Sequence, residues 1–332
     1  VSYIKYFLEN IDSDKIDNQL REELASLVKD SYESQAFITR TPMRTLVTRL
    51  INAKNALHYA LEHNTSTQPE FGENYNKLNV KDEDGIWRMD FTDMEEKIKQ
   101  NHIHVAIFCS PHNPCGRVWQ LDEIQKAMEI YERNDVIVIS DEIWSDIILE
   151  GHKHIPTQSV NAWAHEHVVA LYAPSKTFNL AGLIGAYHII YNQTLRDRIN
   201  LKSHYNSMNV LSMHALIGAY QPEGYVWLDE LREVITGNVN YAVEYIRKHF
   251  EGVELMKPEG TYMLFIDCEK WCKQHGKTIE EVEKAGYRVG VAWQDGRMFH
   301  GSYSIRMNLA LPLARVQEAF ERLNQYVFNA NW

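Results

Sequence analysis

The sequence has few cysteines and no long apolar run. Four cysteines occur in 332 residues, and so few in a chain of this length do not indicate a disulfide framework. No apolar run reaches the roughly 20 residues that a transmembrane helix needs. The first letters, VSYIKYFLENIDSDK, lack the basic-then-apolar order of a secretory signal. These absences argue against a disulfide-stapled or helical membrane protein and predict a cytoplasmic one.

Positive charge is also scarce. The 34 basic residues are outnumbered by 45 acidic residues, which gives a formal net charge of −11. A chain of this charge repels a phosphate backbone, so nucleic acid is not an expected partner. Histidine and cysteine pairs occur, but they do not combine into a known ligand spacing, and no metal is expected. These pairs are His102/His104, His152/His154, His165/His167 and Cys268/Cys272.

The sequence contains 45% hydrophobic residues, which is enough for a large core. Its length suits about two domains. Short apolar runs rich in Val and Ile predict strands at 104–110, 136–142, 167–176 and 186–191. An amphipathic helix is predicted between the first two, at 121–134. This alternation favours a mostly parallel sheet that is buried on both faces.

The flanking regions follow other patterns. Apolar residues in helical register predict helices at 12–30 and 43–62, followed by a polar loop at 64–74. A long helix is predicted at 228–250. Beyond it, two strands of antiparallel type and two helices are predicted, and they cover 260–267, 304–310, 278–285 and 313–328.

Three polar residues follow predicted strand ends, namely Asn113, Asp141 and Lys176. In sheets of this kind, ligands bind beyond the carboxyl ends of the strands. A desolvated lysine can form a Schiff base, a carboxylate can hold a pyridine nitrogen protonated, and an amide can donate to a ring oxygen. Taken singly, each residue is more ordinary: a solvated lysine, a capping Asp and an Asn-Pro turn. Their convergence favours a functional site.

Four stretches in this order carry a family resemblance. They are SPHNPCGRVW (110–119), ISDEIWSDI (139–147), APSKTFNLAGL (173–183) and IRMNLALP (305–312). They resemble the fold type I pyridoxal-phosphate enzymes of the aminotransferase class I/II superfamily, within it the cystathionine β-lyase-like branch of MalY/PatB type. The resemblance covers about residues 76–330.

The resemblance implies an α/β fold. Its mostly parallel, seven-stranded-type sheet would bind pyridoxal 5'-phosphate (PLP), with helices on both faces and a smaller α+β C-terminal domain. The expected division is an atypical N-terminal helical segment at 1–75, a large PLP-binding domain at 76–235 and a small domain at 236–332. Members of the family are homodimers with the site at the subunit interface, so a homodimer is expected.

The resemblance also implies roles around the cofactor ring. Lys176 would be the Schiff-base lysine and the base that takes the substrate Cα proton. Asp141 would pair with the pyridine nitrogen, Asn113 would bond the phenolic oxygen, and Ile143 would pack on one ring face. Trp144 occupies the position at which relatives commonly carry Tyr or His near the phenolic oxygen of the cofactor. It would either alter the tuning of the cofactor or pack in the core.

Two further residues would contact charged groups. Ser175 would contact the cofactor phosphate, and Arg306 would clamp the substrate α-carboxylate with its bidentate fork. A surface salt bridge is the alternative role for Arg306. Its setting between apolar strand residues favours the clamp.

The branch implies a carbon–sulfur β-lyase that cleaves cystathionine or related cysteine S-conjugates to pyruvate, ammonia and a thiol. The alternatives are an aminotransferase, which shares the steps up to the carbanion, and a catalytically silent member with a binding or regulatory role. Residues 1–75 contain one glycine, Gly72, and show no glycine-led turn that would cradle a phosphate at a helix start. A rebuilt N-terminal part, a degenerate member and omitted segments are the explanations that remain open.

Overall fold

The computed structural model describes residues 79–82, 84–202 and 208–330. The helices predicted at 12–30 and 43–62 and the loop predicted at 64–74 lie outside the described residues. The described chain begins with a small antiparallel pair, β1 (Asn79–Lys81) and β2 (Trp87–Met89).

The main sheet has four strands in chain order. They are β3 (Val105–Cys109), β4 (Ile137–Asp141), β5 (Val168–Tyr172) and β6 (Tyr187–Ile189). The first three are parallel and β6 runs antiparallel to β5. The prediction of a mostly parallel α/β sheet is confirmed, and four strands of the expected seven-stranded type lie in the described residues.

Helices cover this sheet because each presents an apolar stripe to it. Helix α1 (Phe91–Gln100) is capped by Asp90, and α2 (Leu121–Arg133) begins with a capping box between Gln120 and Glu123. The core between helices and sheet is formed by large side chains that are almost fully buried: Met94, Ile98, Phe108, Trp119, Ile124, Met128, Tyr131 and Val138. Each contributes roughly 1.5–3 kcal/mol by its removal from water.

Shorter helices connect the strands and lead into the long helix. They are α3 (Ala162–His167), α4 (Pro174–Thr177), α5 (Gln193–Lys202) and α6 (Val210–Ala219). The long helix α7 spans Pro222–His249. The expected domain boundary after residue 235 falls inside α7, and the division into domains stays a prediction.

The C-terminal part is built on an antiparallel sheet. Its strands are β7 (Met263–Asp267), β8 (Gln294–Asp295) and β9 (Ser304–Asn308), in the spatial order β7-β9-β8. Its helices are α8 (Glu269–His275), α9 (Ile279–Arg288) and α10 (Leu313–Leu323), and a π-helical turn follows at Asn324–Phe328. A second core cluster joins this sheet to α7 and α10 through Ile235, Val239, Val243, Leu264, Ile305 and Phe320.

A buried ion cluster joins the two parts of the chain. The side chain of Arg117 is 1% exposed, and its guanidinium contacts both Glu123 and Glu259. Glu259 also accepts a hydrogen bond from the Val118 N–H at 2.9 Å. Gly116 has a φ of +74°, and a Cβ there would lie 2.4 Å from the Cβ of Pro258. The loop after β3 therefore packs tightly against the segment that precedes β7. No helix in the described ranges is long and apolar enough to cross a membrane.

Candidate active site

The carboxyl ends of three neighbouring strands are level with one another. Cys109 of β3 lies opposite Asp141 of β4, and Asp141 lies opposite Leu171 of β5. The loop after β3 carries Asn113, and the turn after β5 carries Lys176. The sheet register therefore brings the three predicted polar residues to a single edge, as expected for parallel strands.

Asp141 ends β4 as a partly buried carboxylate. Burial raises its pKa, and the positive charge of Lys176 acts in the opposite direction. The backbone N–H of Ile143 donates a hydrogen bond to Asp141 Oδ1 at 3.2 Å. A partly desolvated carboxylate beside a cation can hold a second cationic group, such as a protonated ring nitrogen.

Lys176 lies in the short helix α4, which has Pro174 at its start. The next residue, Thr177, is fully buried and donates a hydrogen bond from its Oγ1 to Asp146 Oδ2 at 2.8 Å. Asp146 belongs to the turn that follows β4. This bond therefore ties the turn of Lys176 to the turn that follows Asp141.

Trp144 packs in the core between this turn and the C-terminal sheet. Its side chain is 2% exposed, and its ring meets Tyr262 edge-on with 4.7 Å between centroids. The Nζ of Lys176 lies 5.5 Å from the Trp144 ring centroid, within the range of a cation–π contact. Trp144 therefore packs in the core, which was one of the two roles expected from the sequence, and it also lies beside Lys176.

Arg306 reaches the same edge from the C-terminal sheet. Its Nη1 donates to Asn113 Oδ1 at 3.1 Å, and its Nε donates to Gln294 Oε1 at 2.8 Å. The ring of Phe299 lies 4.2 Å from its guanidinium carbon. Desolvation lowers the pKa of Arg306. Within the described ranges Arg306 forms no salt bridge, and its side-chain partners are the amide oxygens of Asn113 and Gln294; its role as a carboxylate clamp stays a prediction.

The two remaining predicted residues lie at this edge as well. Ser175 precedes Lys176 in α4 and is partly buried. Ile143 packs against the C-terminal core cluster while its N–H binds Asp141. Their contacts with a phosphate and with a ring face stay predictions.

A cavity of about 450 Å³ opens beside the turn of Lys176. Its described lining contains hydroxyl groups and one carboxylate but no lysine or arginine. The lining residues are Ser145, Asp146, Tyr172, Tyr187, Leu216, Tyr220 and Tyr225.

Glu142 was not predicted from the sequence, yet it anchors this edge. It is fully buried and accepts hydrogen bonds from the Tyr172 hydroxyl at 2.7 Å and the Thr157 N–H at 3.0 Å. His154 Nε2 lies 2.8 Å from Oε2, the oxygen that also accepts from Tyr172. Burial acts to raise its pKa, but the hydrogen bonds, led by that of His154, outweigh burial and lower it. Glu142 therefore fixes the position of the end of β4, where Asp141 lies.

Four further residues at this edge were not predicted from the sequence. Thr177 and Asp146 lie inside the quoted motifs, and their proximity in sequence to Lys176 and Asp141 could have indicated them. Gln294 and Phe299 lie in a stretch, VAWQDGRMFH (291–300), that carries no motif of its own. The pairing of β8 with β9 brings Gln294 opposite Arg306, and Phe299 lies in the 3₁₀ turn Gly296–Phe299 that follows β8.

The fold and the site define a class: an α/β protein with a lysine and a carboxylate at the carboxyl edge of a mostly parallel sheet, and an arginine supplied by a second sheet. The family model described as aminotransferase class I and II matches residues 75–323. The chain belongs to this family.

Two curated relatives are similar to the chain at the sequence level. Cystathionine beta-lyase PatB of Bacillus subtilis (strain 168) is 32% identical over 248 residues, which are 73% of this chain and 63% of the relative. Protein MalY of Escherichia coli (strain K12) is 32% identical over 248 residues, 72% of this chain and 60% of the relative. The chain therefore spans less than two thirds of the length of these relatives.

Solved structures show the same likeness. A PLP-bound putative aminotransferase from Clostridium difficile 630 is 36% identical with a TM-score of 0.68, covering 75% of this chain and 64% of that one. The PLP-bound C-S lyase from Staphylococcus hominis is 29% identical with a TM-score of 0.70, covering 76% of this chain and 66% of that one.

Proposed function

We propose that the chain is a PLP-dependent carbon–sulfur β-lyase that cleaves cystathionine or related cysteine S-conjugates. The observation that carries the proposal is the 3.1 Å hydrogen bond between Arg306 and Asn113. It joins a cation able to bind an α-carboxylate to the sheet edge that carries Asp141 and Lys176. The curated relative named cystathionine beta-lyase PatB supports this choice of reaction.

The described residues fit the ring end of PLP. Asp141 is a partly desolvated carboxylate that already faces the charge of Lys176, so it would hold the pyridine nitrogen in its protonated form. The Asn113 side chain would contact the phenolic oxygen, and Ile143 would pack on one face of the ring. For the phosphate the described residues offer less: the Ser175 hydroxyl, and a neighbouring cavity whose described lining has no basic side chain.

Bound PLP supplies an electron sink for the negative charge that develops at the substrate Cα. The remaining work falls to the side chains of this chain. Arg306 would bind the substrate α-carboxylate and orient the Cα–H bond. The neutral amine of Lys176 would remove the Cα proton. With cystathionine and one water, the balanced products are homocysteine, pyruvate and ammonia.

An aminotransferase is the second candidate. The Clostridium difficile structure, which is 36% identical, is described as a putative aminotransferase. Lys176, Asp141 and Arg306 would have the same roles up to removal of the Cα proton. The two reactions differ in their products, because a transaminase forms keto acid beyond one equivalent of its PLP only when an amino acceptor is present.

Spectroscopy and product analysis test the proposal. Protein that is incubated with PLP and then freed of unbound PLP should show a near-ultraviolet to visible band that borohydride removes. Lys176→Ala should abolish the band, whereas the exposed control Lys248→Ala should retain it. Cystathionine should yield pyruvate and free thiol without an acceptor. A protein that stays colourless with PLP would refute both enzymatic readings and favour a binding or regulatory role. A keto acid that accumulates beyond one equivalent of PLP only with an acceptor would replace the lyase with a transaminase.

The proposal includes a cytoplasmic homodimer. All four cysteines are buried free thiols, which suits a reducing compartment. Sedimentation at micromolar concentration should give the mass of two chains. A monomer profile would contradict the dimer.

A further inference from the structure

The side-chain oxygens that accept hydrogen bonds from Arg306 are neutral. Gln294 Oε1 accepts from both Nε and Nη2, and Asn113 Oδ1 accepts from Nη1. A guanidinium has five N–H donors, so two remain after these three contacts. Phe299 supports one face of the group.

Seven other arginines of the described ranges pair with carboxylates instead. Ion pairs are formed by Arg88, Arg117, Arg133, Arg232, Arg297, Arg315 and Arg322. Such a partner would compensate the charge of Arg306 and compete with a ligand carboxylate.

A carboxylate does stand next to Gln294, but it is engaged elsewhere. Both oxygens of Asp295 accept hydrogen bonds from the Arg297 side chain, at 2.6–3.0 Å. Arg297 also contacts Glu280. Asp295 therefore belongs to a separate surface ion cluster, although it is one residue from the strand position that faces Arg306.

The strand register explains why Gln294 meets Arg306. In the antiparallel pair of β8 and β9, Gln294 lies directly opposite Arg306, and Asp295 lies opposite Ile305. Residues directly opposite on one face of such a pair contact each other through their side chains. A charged side chain at position 294 would therefore act on Arg306 at hydrogen-bond distance, whereas glutamine there is neutral.

We propose that Gln294 is a positioning and charge-selecting residue for the substrate carboxylate. Its neutral oxygen holds the guanidinium by two donors and leaves the positive charge uncompensated, so the site selects a carboxylate over a neutral group of the same shape. This inference rests on the proposed role of Arg306 as the carboxylate-binding group.

The test uses propionate and its neutral counterpart propionamide as probes. In the purified full chain with arginine side chains labelled by nitrogen-15, the Arg306 Nε signal is assigned by its loss in Arg306→Lys. We expect propionate, and not propionamide, to shift this signal. Gln294→Glu preserves the acceptor geometry and adds one charge, so propionate affinity should fall about thirtyfold or more. In Gln294→Ala, the affinity for propionate should fall only about two- to tenfold, and the preference for propionate over propionamide should remain.

The exposed Gln274 of α8 supplies the matched control, because Gln274→Glu adds the same charge elsewhere and should bind propionate like the parent. Circular dichroism checks the fold of each variant. Propionate affinity within threefold of the parent in Gln294→Glu would overturn the proposal, as would an equal response of the parent to propionamide. The proposed lyase activity is judged separately: a protein that binds propionate selectively but forms no pyruvate would refute the lyase and not the role of Gln294.

Discussion

Replacement of Arg117 by methionine should destabilise the protein strongly. The side chain is 1% exposed and contacts Glu123 and Glu259. Its Nε also donates to the Trp87 carbonyl at 2.9 Å. Methionine fills part of the volume but leaves the carboxylates without their shared partner. Loss of one member of a buried ion pair costs roughly 3–5 kcal/mol.

The structure places the effect near the lower end of that range. Glu123 keeps a second partner in Arg88 at 3.0 Å, so the loss falls mainly on Glu259, which keeps the Val118 N–H. We therefore expect about 3 kcal/mol of lost unfolding free energy. At about 2–4 °C per kcal/mol for domains of this size, the melting temperature should fall by about 6–12 °C.

Urea denaturation of the parent and of Arg117→Met measures this loss, with the unfolding slope checked for change. Glu259→Gln and the double variant complete a mutant cycle. Because the unpaired carboxylate causes the loss, the double variant should be more stable than Arg117→Met alone. A loss below about 1 kcal/mol, or a double variant with fully additive losses, would refute the reasoning.

Three further outcomes are expected. Thr177→Val should lower stability by about 1.5–3 kcal/mol, because it removes a hydrogen bond to the Asp146 carboxylate; an unchanged melting curve would contradict this. The pKa of Glu142 is lowered in the folded state, so its contribution to the free energy of unfolding is complete above the unfolded pKa of about 4.3 and is lost as pH falls through the folded pKa. Glu142→Gln should therefore make the free energy of unfolding depend less on pH in this range. Identical slopes for the parent and the variant from pH 3 to 6 would exclude that role. Gly116→Ala should cost more than about 1 kcal/mol in chemical denaturation, because of its positive φ and the 2.4 Å approach to Pro258; a neutral result would show that the loop relaxes.

Sequence periodicity was sufficient to predict the secondary-structure elements around the site. The strand predicted at 104–110 corresponds to β3 at Val105–Cys109, and the strand predicted at 136–142 corresponds to β4 at Ile137–Asp141. Alternation of apolar strand and amphipathic helix encodes burial locally, so the parallel sheet and the strand-end position of Asp141 follow from it. The run at 167–176 was too long, because Pro174 ends the strand and begins α4.

Contacts between distant parts of the chain were decided by the tertiary structure alone. The sequence identified Arg306 and Asn113 as candidates, but their hydrogen bond joins residues 193 positions apart and exists only because the two sheets pack together. No sequence pattern indicates Gln294 as the partner of Arg306, since this contact depends on the register of β8 against β9. Local patterns determine which strands form and where they end; how two sheets pack together determines which charges meet and which remain available to a ligand.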